Sequence, residues 1–305
     1  MQIIDIHANQ SPTPLPQVSD KLKELYGIEC HGVDASALSA FTALNIATKL
    51  KDVPAEAIIC HRRKDLVAAI DSLRLRGIKK GSVKIIYAPA DEKSLDEKLT
   101  SATLKATDII VVPTKADTLN QNFSGANIIV IEPTAPLGEE TPVSVPQTGH
   151  SHLNITWLGP INEYQRLQNL VNAVHALGPD FHINVYGTGP ARTTMPIVKG
   201  SRYMDGLNIT WHGEEFDTDT AIADSDIAVA TTRIPSQQDI RLRACSVPVL
   251  NSENQDALIS ELSEIQKDRS ILATLKKQAR TEYETRFALS FHVEQWMKLL
   301  SSIRQ

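Results

Sequence analysis

Short β-branched runs with few charges alternate with longer helical patterns along almost the whole chain, and this alternation restricts the fold more than any other feature. In the first half QIIDIH (2–7), AEAIICH (55–61), VKIIYA (83–88), DIIVVPT (108–114) and NIIVIEP (127–133) read as strands. Between them VSDKLKELYG (18–27), SALSAFTALNIATKLKD (36–52), KDLVAAIDSLRLRG (64–77) and DEKSLDEKLTSATLKA (91–106) carry apolar residues at helical spacing, with Gly27 and Gly77 placed to close their helices. Strands that lack a polar face must be covered on both sides, which calls for a parallel sheet between helical layers.

The pattern recurs after PTAPLGEETPVSVPQTGHSH (133–152), whose proline, glycine and small polar residues have no apolar period and read as a linker. NITWLG (154–159), FHINVYG (181–187), LNITWHG (207–213), DIAVATT (226–232) and VPVLN (247–251) read as strands. Helical patterns cover 163–178, 217–225, the segment around 240–245, 255–265, 268–285 and 291–304. A chain of 305 residues exceeds the usual size of a single core. The expected organisation is a domain over 1–140, a linker over 141–152, a second domain over 153–288 and a closing helix over 289–305 that packs back on the first domain. Two doubly wound halves place a ligand at the carboxyl ends of the strands, in the cleft between the domains.

Composition narrows the function. Apolar residues make up 42% and charged residues 22% of the chain, enough for packed cores. The net charge of -5 argues against a nucleic-acid binder, which would need a basic face. Cys30, Cys60 and Cys245 are odd in number, far apart and without metal-ligand spacing, so reduced thiols are expected. No apolar run is long enough to span a membrane and MQIIDIHANQSP does not read as a leader, so a cytoplasmic protein is expected. Arg62, Arg63, Lys64, Arg74, Arg76, Lys79, Lys80 and Lys84 form a basic cluster interrupted by Asp65 and Asp71; it is either an ordinary solvated surface or a seat for a peripheral place at an anionic membrane.

YGTGP (186–190) puts Gly187 and Gly189 directly after a strand, where backbone N–H groups can approach a diphosphate or simply make a tight turn. A dinucleotide oxidoreductase is disfavoured, because a third glycine is missing and no acidic residue ends a following strand at the expected distance.

Seven segments in order make the second half resemble the donor-binding domain of GT-B glycosyltransferases, in particular the large retaining family 4: ITWLGPIN (155–162), NLVNAVHALG (169–178), INVYGTGPAR (183–192), NITWHGEEF (208–216), IADSDIAVATT (222–232), ACSVPVLN (244–251) and RFALSFHVEQWMKLL (286–300). AIICHRRKDLVAAI and TDIIVVPTKADTLNQNF with NIIVIEP are more faintly similar to that family's acceptor domain. The resemblance implies an α/β protein of GT-B type, two Rossmann-like doubly wound domains facing each other across a cleft. It also implies transfer of a sugar from a nucleotide diphosphate sugar, with retention, without a metal and with no cofactor beyond that co-substrate, to a glycan, lipid or protein acceptor. Gly159, Gly187, Gly189, Arg192, Arg233 and Arg241 are the implied donor-binding positions. His61, at the end of a central strand, is the candidate acceptor contact or catalytic residue, with His7 a weaker case; a strand-end histidine without chemistry is the alternative.

The chain departs from that family where its charges should stand. The arginine and lysine expected after the first glycine fall at Pro160 and Gln165, counted from Gly159. The two carboxylates of the Glu-x(7)-Glu signature, counted back from Pro248 and Val249, fall at Arg233 and Arg241, with Ser246 at the glycine. Asp239 falls at neither spacing. The first loop, HANQSPTPLP, lacks glycine, and its prolines cannot donate an N–H. Arg233, Arg241, Arg243 and Arg192 can supply the missing positive charge from new positions, or be solvated or paired with nearby aspartates. The sequence thus leads to two expectations: a divergent glycosyltransferase, or an inactive GT-B homologue serving as a binding subunit, for instance to an active glycosyltransferase.

Overall fold

The computed structural model describes residues 1–7, 15–35, 39–89, 91–135, 152–162, 164–190 and 206–304. Two compact units result: Met1–Thr134 together with Leu289–Gln305, and Ala135–Ala288.

In the first unit the described elements are β1 (Gln2–His7), α1 (Leu15–Tyr26), β2 (Glu29–Asp34), α2 (Ser39–Asp52), β3 (Ala57–Cys60), α3 (Arg63–Leu75), β4 (Lys84–Tyr87), α4 (Glu92–Asp96), α5 (Ser101–Ala106), β5 (Ile109–Val112) and β6 (Ile128–Val130). The strands form a parallel sheet in the order β2-β1-β3-β4-β5-β6. β3 is buried at all four positions and β5 likewise, as strands covered on both faces must be. β2 is the strand that periodicity missed: ECHGVD has one fully buried apolar residue, Val33, because an edge strand is only half covered. The single helix read over 91–106 divides in two, since Asp91 accepts from the Ser94 amide and Thr100 from the Thr103 amide, each capping its own start.

In the second unit β7 (Leu153–Leu158), α6 (Tyr164–Leu177), β8 (Phe181–Tyr186), β9 (Asn208–Gly213), α7 (Thr218–Ala223), β10 (Ile227–Val229), α8 (Gln237–Ala244), β11 (Val249–Leu250), α9 (Gln255–Lys267) and α10 (Ile271–Glu282) follow in order. Their sheet is also parallel, β11-β10-β7-β8-β9. Ile155, Trp157, Ile183, Val185, Ile227 and Val229 on one face pack against Leu167, Leu170 and Val174 of α6 and Leu258 and Leu262 of α9.

The last helix, α11 (Leu289–Ser302), belongs to the first unit, where Val293, Trp296, Leu299 and Leu300 enter the core beside Ile3, Ile28, Ile86 and Val111. His292 holds the junction: its Nδ1 donates to the Glu132 carbonyl at 2.7 Å and its Nε2 accepts from Trp296 Nε1 at 3.0 Å. A carbonyl only accepts and an indole N–H only donates, so this arrangement requires the neutral ring. Burial presses its pKa down to about 4 from the ordinary 6.5.

The folded pKa lies below the unfolded one, so the unfolded chain binds more protons between these values and stability falls as pH drops from about 6.5 toward about 4. The loss attributable to His292 at pH 5 is about 2 kcal/mol. Urea melts at pH 7.5 and 5.0 are expected to differ less for His292→Gln than for the wild type; an equal difference removes this account.

Candidate functional site

Three glycines shape the carboxyl edge of the second sheet. The turn after β7 and the turn after β8 pack backbone against backbone, with Gly159 N donating to Tyr186 O at 3.0 Å and Ile161 N to Thr188 O at 3.0 Å. A Cβ on Gly187 would overlap the Gly159 carbonyl and one on Gly189 the Ile161 carbonyl; Gly187 also has φ +126°. Gly187 N is itself bonded to Gly213 O at 2.6 Å. The glycines predicted as donor-binding positions are thus required first by this close approach, and the N–H groups of Gly159 and Gly187 are spent on the chain.

Next to them α8 delivers the ACSVPV segment. Ser236 caps the helix with a complete capping box: its hydroxyl accepts from the Asp239 amide at 3.1 Å, and Asp239 Oδ2 accepts from the Ser236 amide at 2.9 Å. The helix closes with Val247 N to Leu242 O and Ser246 N to Arg243 O, both 2.9 Å, and Ser246 takes φ 65°. This is the six-to-one and five-to-two pairing that normally wants glycine at the left-handed position. Ser246, where the family pattern has glycine, keeps the glycine conformation.

Beside this turn, at the ends of β10 and β11, lies a cavity of about 140 Å³ whose walls include Arg166, Arg233, Arg243, Asp239, Asn251 and Glu253. Arg166 ion-pairs with Glu253. Glu253 is held in turn by Asn169 Nδ2, which donates to the Ser252 and Glu253 carbonyls at 2.9 Å. Arg243 Nε meets Glu282 at 3.0 Å and its Nη1 donates to the Asp239 carbonyl at 3.2 Å. Burial raises the Asp239 carboxyl above the ordinary range, against the lowering pull of the Ser236 bonds and of Arg243 and Arg166.

The predicted positions separate. Arg233 is exposed and lines the cavity. Arg241 does not line it; its guanidinium reaches Asp219 at the start of α7, 2.5 Å away. Pro160 and Gln165 are exposed. Arg192, and most of the HANQSPTPLP loop, lie outside the described residues, as does the side chain of His7. His61 is 4% exposed, with Nδ1 donating to the Ala88 carbonyl at 2.8 Å and Nε2 against Asp5 at 2.9 Å. Both its ring nitrogens are engaged within the first unit. In the basic cluster Arg62 forks onto Asp65, Arg74 meets Asp71 at 3.2 Å and Lys84 meets Asp108 at 3.5 Å.

Sequence reasoning missed Arg166, Glu253 and the placement of Asp239. Arg166 stands one residue after the expected lysine position, and a helix turns about 100° per residue, so Gln165 faces out while Arg166 faces the cavity. A signal was present: a buried-face arginine in the first turn of the helix after the glycine.

The sequence matches no protein-family model and no curated protein. Solved structures share the architecture. HepE of Anabaena in complex with UDP and glucose is 13% identical with a TM-score of 0.67, over 99% of this chain and 100% of that one. The lipopolysaccharide outer core galactosyltransferase WaaB is 12% identical with a TM-score of 0.68, over 99% of each. A glycosyltransferase from Rickettsia africae is 13% identical with a TM-score of 0.71, over 100% of this chain and 98% of that one. The chain has the GT-B fold, as its sequence resemblance implied.

The edge geometry makes opposite demands at two positions. Ser246→Gly relieves a left-handed serine and is expected to raise stability by up to about 1 kcal/mol. Gly187→Ala must move the Gly159 carbonyl and is expected to cost at least about 2 kcal/mol. Denaturant melts of the two variants check both signs.

Proposed function

We propose that the protein is a divergent GT-B glycosyltransferase that takes a sugar from a nucleoside diphosphate sugar, with the donor held at the carboxyl edge of the second unit. The observation that carries this reading is the convergence of Arg166, Arg233 and Arg243 on one cavity at the strand ends, the place where doubly wound sheets bind ligands. HepE, whose fold the chain shares over its full length, holds UDP and glucose. A departing nucleoside diphosphate needs positive charge, and preorganised donors of that kind contribute several kcal/mol at a transition state. Arginine forks to phosphate oxygens, and Arg233, exposed on the wall, is the cation best placed to meet an incoming one. Retention at the anomeric carbon and independence of a metal are carried over from the family resemblance. The acceptor is a glycan, lipid or protein.

A second reading, an inactive GT-B homologue that binds a glycosyltransferase partner, is favoured by one observation. Arg241, where the resemblance places a hydroxyl-accepting carboxylate, is a donor-only guanidinium tied to Asp219.

Calorimetry with UDP-glucose, GDP-mannose and ADP-glucose to millimolar concentration separates the two. We expect one of them to bind, Arg233→Ala to weaken it tenfold or more, and Arg241→Ala to leave it within twofold. No heat with any of the three would sink the transferase reading.

A further inference from the structure

The strands of the first unit also have open amino ends, and a second cavity lies there. It measures about 470 Å³, and its walls include Lys84, Asp108, Ile109, Asn127, Ile303 and Arg304. Lys84 opens β4, Asp108 and Asn127 immediately precede β5 and β6, and Arg304 follows the end of α11. The fold holds this frame in place. Asp108 Oδ2 accepts from the Ile85 amide at 2.9 Å, and the Asp108 amide donates to the Ile85 carbonyl at 2.9 Å. Ile303 packs against the core of the unit and so seats the end of α11. A space of that size falls within the roughly 300–1,000 Å³ of small-molecule sites.

Charge decides what such a space takes. The chain carries a net charge of -5, yet cations gather at this edge. Lys84 and Arg304 stand on the wall, and Lys80 and Lys105 lie on the segments that lead into β4 and β5, tied by Lys80 Nζ donating to the Lys105 carbonyl at 2.5 Å. Against them are Asp108, 3.5 Å from Lys84 Nζ, and Glu56, which takes Arg304 through both oxygens at 3.1 and 3.2 Å. The Arg304, Glu56 and Lys84 side chains are 53%, 41% and 35% exposed, and pairs so exposed contribute little to stability. A phosphate group therefore takes over both cations at small cost, lysine acting as a point charge and arginine as a fork. The Asn127 amide is a further donor. A metal cation would meet one wall carboxylate and two positive charges, and an apolar ligand would leave both charges without water.

We propose that this cavity binds a small phosphorylated anion, at the edge of the first sheet opposite its carboxyl ends. It shares no lining residue with the arginine cavity of the second unit and does not depend on the donor reading.

Calorimetry on the full chain with inorganic pyrophosphate and with glucose 6-phosphate, each to millimolar concentration, tests the site. Arg233→Ala serves as the background, because a phosphate can also enter the other cavity. In that background at least one of the two anions is expected to bind. Lys84→Gln and Arg304→Gln, each added to it, should weaken that anion tenfold or more. Lys277→Gln, which removes an exposed charge from the second unit, should leave it within twofold. Tighter binding of glucose 6-phosphate supports an organic ligand whose hydroxyls use Asp108 and Asn127; tighter binding of pyrophosphate supports recognition of phosphate alone. No heat with either anion, retained affinity in Lys84→Gln or Arg304→Gln, or an equal loss in Lys277→Gln overturns the assignment. Should Lys84→Gln fail to fold, Asn127→Asp at an exposed position sets a second carboxylate in the wall, and unchanged affinity there is equally fatal. Binding seen in the wild type and absent from Arg233→Ala puts the anion in the other cavity, which overturns this site and leaves the donor reading standing.

Discussion

A parallel strand covered on both faces has its polar backbone paired along its length and its side chains buried, so only its ends can combine polarity with access. Every described strand pairing in both units is parallel. The rest of the molecule follows from that. Among the described residues most returns to the sheet cross through a helix, the helices take the apolar faces, and chemistry is pushed to the carboxyl ends. In the second unit those ends carry the glycine turns after β7 and β8, the capped start of α8 and the arginine-lined cavity. Polar side chains nearer the middle, such as Asp5, Thr156 and Asn184, are buried and bonded within the chain, so access to solvent is left to the ends.

Charge at that edge is largely balanced by the chain itself. Arg166 has Glu253, Arg243 has Glu282 and Arg241 has Asp219. Exposed pairs such as Arg241 with Asp219 are worth little, about 0–1 kcal/mol, whereas a covered arginine left without its carboxylate is expensive. An incoming diphosphate would therefore take over guanidinium donors from carboxylates rather than meet bare cations. The same balance explains how several arginines can sit at one sheet edge without destabilising the fold.

Much of the fold was readable residue by residue because its signals are local. Strand and helix patterns, the closing glycines and the seven ordered segments led to two doubly wound units. The misreadings also have local causes. β2 is a half-covered edge strand with little apolar content, and Thr100 starts a new helix that periodicity alone cannot see. At the ACSVPV turn serine stands where the resembled pattern has glycine, and Ser246 takes φ 65°, so the turn keeps the left-handed conformation without glycine.

By itself the sequence determined the alternation, the two-unit division, the GT-B likeness and the absence of cations at Pro160 and Gln165 and of carboxylates at positions 233 and 241. Those are statements about residue type and spacing, which the linear chain contains. Only the tertiary structure decided which arginines share a cavity, that Arg241 leaves it for Asp219, that both ring nitrogens of His61 are engaged, and that Asp239 keeps one oxygen without a partner. The physical reason is that each depends on which atoms from distant segments come within hydrogen-bond reach. One helical step, from Gln165 to Arg166, is enough to move a side chain from solvent to the site.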